Sequence, residues 1–250
     1  MTSAPTNRGP VRAALVLLAA GSGSRVGHEI NKVFLPLAGR RVFTWSLRWA
    51  TAIPDITRLI LVIAERDRAL AESVLAREAP GVDVRLVRGG STRHASEWNA
   101  LQSLAGEIHR GDFDVVVVHD AARPLAGTAV FAHVITQALA HGGALPVRPQ
   151  PSLVPVDGTA PSPGHDVVAV QTPQAFRAQP LLAAYERADE ARFVGTDTAS
   201  CIEKFAELPI WCVPGSAQNI KITFPEDLFL AEHLLAQAHW DLTTESGEPL

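Results

Sequence analysis

Residues 115–124 read Val115-Val116-Val117-Val118-His119-Asp120-Ala121-Ala122-Arg123-Pro124. Four β-branched residues in succession, with no polar alternation, describe a strand covered on both faces. Such strands belong at the centre of a parallel sheet with helices above and below. The apolar run stops abruptly at His119, Asp120 and Arg123. In open α/β sheets ligands bind beyond the carboxyl ends of the strands. The polar cluster therefore stands where chemistry is expected.

Working outward, strand-like and helix-like patterns alternate. Ala13–Ala19, Leu59–Ile63 and Val82–Val87 read as strands. Val42, Trp45, Trp49 and Ile53 mark a helix face, an Ala-rich helix occupies about 66–79, and Ala95, Trp98, Leu101 and Ala105 mark another stripe. Residues 146–166 hold six prolines and little periodicity, which predicts a projecting arm at about 147–167. Structure resumes at Val167–Val170. Pro225 opens a last helix with Glu226 and Asp227 in its first turn, and Leu228, Ala231, Leu235 and Ala238 on its buried face. The expected fold is α/β: a three-layer, Rossmann-like, mostly parallel sheet with a Pro-rich arm. One domain covers 11–240, between a loose tail at 1–10 and a polar tail at 241–250.

Bulk properties narrow the function. A hydrophobic fraction of 47% permits a large core. A net charge of -4 without a basic tract argues against a nucleic-acid partner, so an anionic substrate needs local cations. Cys201 and Cys212 form neither metal-ligand spacing nor a disulfide framework, which suits a reducing, cytoplasmic compartment. Arg8 and Arg12 before the apolar run Ala13–Ala20 imitate a short signal peptide, but that run leads into the best motif of the chain. No other stretch approaches the length that spans a membrane.

That motif is Leu18-Ala19-Ala20-Gly21-Ser22-Gly23-Ser24-Arg25, followed by Lys32. Small residues let a backbone approach a ligand, and successive amides can cradle phosphate oxygens. A dinucleotide fingerprint is one reading, but Gly27 falls one residue late. A Walker loop is another, but Gly-Lys-Ser/Thr is absent. A nucleotidyltransferase loop, with Arg25 and Lys32 meeting a triphosphate, is the third, and a plain glycine turn is the fourth. Lysine usage bears on the choice. Of 22 basic residues only Lys32, Lys204 and Lys221 are lysine. Lysine where arginine is the habit points to a need for a compact ammonium. Lys32 follows the glycine loop and Lys221 precedes the last helix, whereas Lys204 reads as a surface charge. His119 reads as a strand-end histidine held in position, not as an acid or base.

Taken together, these stretches resemble the 2-C-methyl-D-erythritol 4-phosphate cytidylyltransferases of isoprenoid biosynthesis, over roughly residues 12–236. The resemblance is carried by Leu18–Arg25 with Lys32, Gly89-Gly90-Ser91-Thr92-Arg93 with Ser96, and His119–Pro124. It continues through Gln171-Thr172-Pro173-Gln174, Thr196-Asp197 with Ala199-Ser200, and Asn219–Thr223 with Pro225–Leu228. It implies transfer of cytidylyl from CTP to the alditol phosphate, giving 4-diphosphocytidyl-2-C-methyl-D-erythritol and pyrophosphate. It implies that Ala19, Ala20, Gly21, Ser22, Gly23 and Ser24 wrap the nucleotide, that Gly90 and Ser96 hold the cytosine, and that Arg25 and Lys32 stabilise the α-phosphorus. Asp120 and Arg123 then bind the alditol and the nucleotide sugar side, and Thr196 and Lys221 reach substrate phosphate. Magnesium bridges the triphosphate, with Asp120 a candidate ligand, and a homodimer is implied.

Three departures touch the acceptor side. The family carries an arginine about eight residues before Gln-Thr-Pro-Gln, on an arm that reaches the partner subunit; here that place is near Gly164, and Pro149 to Val168 holds no Arg or Lys. The family's Asp-Thr-apolar-Lys run is missing, Ser152-Leu153-Val154-Pro155 standing nearby, and the acid after Thr-Asp is Thr198. Arg148 and His165 are the candidate substitutes. The alternatives are a cytidylyltransferase for another alditol phosphate, such as ribitol 5-phosphate, and a catalytically weak nucleotide-binding paralogue.

Overall fold

The computed structural model describes residues 10–21, 31–150 and 167–246, with side chains described to residue 237. Ser22, Gly23, Ser24, Arg25, His165 and the arm residues 151–166 lie outside the described residues, as do 1–9 and 247–250.

The chain begins with β1 (Ala13–Leu18). A 3₁₀ turn (Lys32–Phe34) and the short strands β2 (Pro36–Leu37) and β3 (Arg40–Arg41) lead to α1 (Val42–Thr51). Then come β4 (Ile56–Ile63), α2 (Arg68–Glu78), β5 (Val84–Arg88), α3 (Arg93–His109), β6 (Val115–Asp120), α4 (Gly127–His141) and β7 (Gly143–Pro149). After the arm follow β8 (Val168–Val170), β9 (Gln174–Arg177), α5 (Ala178–Glu190), α6 (Thr198–Phe205), β10 (Ile210–Pro214) and α7 (Pro225–Ser246).

Eight strands form the main sheet in the order β10-β7-β9-β6-β1-β4-β5, with β8 added to β7. β1 pairs in parallel with β6 and β4, β4 with β5, and β10 with β7. The valine run of β6 is at the centre, every residue buried, and each such side chain contributes about 1.5–3 kcal/mol. Alternation divides the core. Leu15, Leu17, Val115 and Val117 face Phe43, Leu47 and Phe131 on one side. Val16, Val116 and Val118 face Leu101, Leu104, Leu181 and Tyr185 on the other. The run Ala13–Ala20, which imitated a signal peptide, supplies β1, the interior strand between β6 and β4.

Local differences have physical causes. β8 and β9 are antiparallel to β7, and β9 also to β6. The chain leaves β7 into the arm and returns along the same strand; only Gln171–Pro173 separate β8 from β9, far short of a parallel crossover. The stripe expected on α3 is displaced: Glu97, Ala100, Leu101, Leu104 and Ile108 are buried, whereas Ala95, Trp98 and Ala105 are half-buried. α1 buries two faces. Phe43, Leu47 and Ala50 enter the main core, and Trp45 and Trp49 pack beside α7 with Leu37 and Ile222. Their indole N–H groups donate to the carbonyls of Leu37 and Pro124. Ala231 and Leu235 of α7 are buried as expected, and its backbone continues through the expected tail to Ser246.

Candidate active site

The parallel register brings four strand ends to one level. Leu18 lies beside Val62 and Asp120, and Ile63 beside Arg88. A cleft of about 600 Å³ opens beyond these ends. Ala19, Ala20, Gly21, Lys32, Gly90, Ser96, Asp120 and Lys221 all line it. Arg123 stands just behind, its Nε 3.9 Å from Asp120 Oδ2. Thr196 is exposed outside the wall, its N–H donating to Ser200 Oγ. Lys204 lies over the Phe193 ring, 4.3 Å from its centroid, as the surface charge expected.

Close approach explains the glycines of the second loop. Gly89 donates its N–H to Ile63 O and lies so near the first loop that a Cβ would stand 2.3 Å from Ala20 Cβ. A Cβ on Gly90 would stand 2.4 Å from Ala95 Cβ. Ser96 Oγ accepts the Gly90 N–H and donates to Thr92 O, so it braces the loop from the first turn of α3.

Lys32 and Lys221 each sit on a short segment tied to the sheet. Lys32 begins its turn beside the buried Asn31, whose Nδ2 donates to Ala19 O at 2.7 Å. Asn31 therefore couples Lys32 to the glycine loop. Lys221 lies between Asn219, which donates to Thr172 O, and Ile222, which donates its N–H to Ala122 O. Asp227 accepts the N–H groups of Thr223 and Phe224 and closes the start of α7.

Asp120 is the electrostatic centre. Lys221 Nζ is 2.7 Å from its Oδ2, and Arg93 Nη2 is 3.3 Å from its Oδ1. Burial alone raises a carboxyl, but Arg93, Lys221 and Arg123 outweigh it and hold Asp120 well below the usual carboxylate range. His119, next in the chain, is fully buried, and burial pushes its imidazole down to about 4. Its partners assign the tautomer. The Arg123 carbonyl only accepts, so Nε2 donates to it at 3.1 Å. Thr172 Oγ1 accepts the Asp120 N–H and turns its proton to His119 Nδ1. The histidine is thus a neutral brace, as the sequence reading has it.

Sequence reading did not single out Asn31 or Glu97, and it quoted Arg93 and Thr172 without a role. One signal was available for Arg93: it opens α3, where the helix dipole disfavours a cation. Thr198, which stands where the family carries an acid, donates its Oγ1 proton to Glu97 Oε1 on α3 at 2.7 Å. Arg148 lies half-buried on β7, outside the cleft wall.

A cleft at the strand ends with a backbone cradle, two lysines and, among the described residues, no nucleophile–base pair fits a nucleotidyltransferase of the α/β class. The family model for 2-C-methyl-D-erythritol 4-phosphate cytidylyltransferase matches residues 13–237, and the chain belongs to that family. A Geobacillus kaustophilus protein named for that activity is 36% identical over 225 residues, 88% of this chain and 96% of its own length. One from Synechococcus elongatus is 35% identical over 228 residues, 89% and 96% of the two chains. Among solved structures, the 4-diphosphocytidyl-2C-methyl-D-erythritol synthase of Anaerococcus prevotii superposes with a TM-score of 0.76 at 26% identity, covering 91% of this chain and 97% of that one. The Thermus thermophilus cytidylyltransferase gives 0.66 at 28%, covering 90% and 98%.

Proposed function

We propose that the protein transfers cytidylyl from CTP to 2-C-methyl-D-erythritol 4-phosphate, releasing pyrophosphate. The observation that carries this is the meeting of Lys32 and Lys221, from opposite ends of the chain, in one cleft with Ala19–Gly21 and Gly90. An acceptor phosphate oxygen attacks the α-phosphorus, and the bond to the β-phosphate oxygen breaks. The acceptor is already ionised near neutral pH, so no general base is needed. Catalysis reduces to alignment and charge neutralisation. Backbone amides at 19–21 take phosphate oxygens, Lys32 and Lys221 flank the reacting phosphorus, and Arg25 belongs to the same set. Ser96 and Gly90 face the base, and Asp120, Arg123 and Thr196 serve the acceptor side.

Magnesium fits this donor set as an ion carried by the nucleotide. Among the described residues no three His, Cys, Asp or Glu side chains cluster, and Asp120 is the one carboxylate lining the cleft. Polyphosphate oxygens would hold most of such an ion, which would neutralise triphosphate charge, and Asp120 would join them only by exchanging its contact with Lys221 or Arg93. A cytoplasmic homodimer completes the reading; among the described residues no helix is long and apolar enough to cross a membrane.

The test is pyrophosphate release from CTP with a panel of alditol phosphates. Turnover with methylerythritol phosphate alone is expected. The lack of Arg and Lys from Pro149 to Val168 motivates a second reading, in which the acceptor is changed; turnover with ribitol 5-phosphate instead would select it.

A further inference from the structure

Glu97 has no part in the chemistry above, yet its carboxylate is the most enclosed among the described residues, 1% exposed. It collects three donors from three helices: Arg93 Nη1 one turn earlier on α3, Tyr185 Oη of α5 at 2.6 Å, and Thr198 Oγ1 of α6 at 2.7 Å. Burial pushes its carboxyl up, while Arg93, Tyr185 and Thr198 pull it down.

Local stability does not account for this pair. Desolvating two charges costs about what their attraction returns. An arginine four residues before a glutamate is the poorer helix orientation, and the first turn disfavours a cation. What the pair accomplishes is geometric. Arg93 places one nitrogen on Glu97 and turns Nε and Nη2 to Asp120 Oδ1, at 3.4 and 3.3 Å. Asp120 Oδ2 in turn holds Lys221 Nζ at 2.7 Å.

We propose that Glu97 is a positioning residue: from behind the cleft it fixes the Arg93 fork, and through it the Asp120 carboxylate and the Lys221 ammonium. The inference rests on the proposed role of Lys221 in transfer. It also ties the Thr196–Thr198 turn to the same carboxylate, because Thr198 begins α6.

The test compares the parent with Glu97→Gln and with the double variant E97A/T198E, which moves the carboxylate to the facing helix. Circular dichroism and thermal melting establish folding. Pyrophosphate release gives kcat and KM. Acetylation of Lys221, read by mass spectrometry, gives its exposure without any need for turnover; Lys204 serves as internal reference. In E97Q, kcat falls about 10- to 100-fold, as for outer partners of a reacting site, KM for CTP changes little, and Lys221 acetylation accelerates relative to Lys204. The double variant recovers most of both. A folded E97Q with parental kcat and parental Lys221 acetylation overturns the proposal. So does a folded double variant that stays as impaired as E97Q, and so does failure of both variants to fold, which makes Glu97 a residue of stability. A parent that turns over no acceptor defeats the proposed function alone, and the acetylation comparison still decides this point.

Discussion

Replacement of His119 by glutamine removes a pH liability from the centre of the fold. The imidazole is fully buried and neutral, and its pKa of about 4 lies below the ordinary 6.5. In the unfolded chain it takes up a proton as the pH falls through about 6.5, whereas in the folded protein it resists until about 4. Falling pH therefore favours the unfolded state, beginning near 6.5 and saturating below 4. The shift amounts to about 3 kcal/mol in full, of which about 2 kcal/mol is lost between pH 7 and 5. For a chain of this length that corresponds to about 4–8 °C in melting temperature. Asp120, held low, acts in the opposite sense to a raised group and matters only below its ordinary 3.8; Glu97, held high, offsets part of the loss. The difference between parent and variant cancels both. The measurement is urea denaturation of parent and His119→Gln at pH 7, 6 and 5. Glutamine keeps a donor for the Arg123 carbonyl and does not titrate, so only the parent loses stability through this site as the pH falls. The gap between the two curves should narrow by about 2 kcal/mol towards pH 5. Parallel curves would refute the assignment of His119 as a buried neutral brace.

Lys32→Ala and Lys221→Ala should each lower kcat about 100-fold or more in folded protein, since a lost transition-state charge contact costs a few kcal/mol; near-parental rates would exclude both from the chemistry. Gly90→Ala forces a methyl against Ala95 and should cost about 1–3 kcal/mol, read by thermal melting, with weakened CTP binding. Asn31→Ala leaves the Ala19 carbonyl without its side-chain donor and should cost about 1–3 kcal/mol while raising KM for CTP. Removing Arg148 and His165 together should raise KM for the acceptor if either replaces the arm cation, and an unchanged KM points to a different acceptor.

The central strand, the glycine loop and the unusual lysines were legible because each rests on local pattern, whereas the meeting of Lys32, Asp120 and Lys221 in one cleft was what the family resemblance implied. A β-branched run, a glycine cluster and scarce lysines carry their meaning within a few residues. The antiparallel return of β9 was not legible, because it depends on where the arm sends the chain. The buried face of α3 was misplaced by a residue because Glu97, a charged residue, points inward. No hydrophobic periodicity reports a carboxylate whose burial is made possible by Arg93, Tyr185 and Thr198 from distant parts of the sequence.

The cleft is assembled from both ends of the chain, and this orders its completion during synthesis. Strand β1, the 3₁₀ turn of Lys32 and the valine strand β6 all precede residue 121, whereas Lys221 lies beyond the final strand β10. A nascent chain can close most of the sheet and bring Ala19–Gly21, Lys32 and Gly90 to one cleft while its second ammonium, Lys221, is still to be made. Premature termination before residue 221 would therefore remove the ammonium that Asp120 Oδ2 holds, together with Ile222, Ala231 and Leu235, which cover Leu37 and Val42.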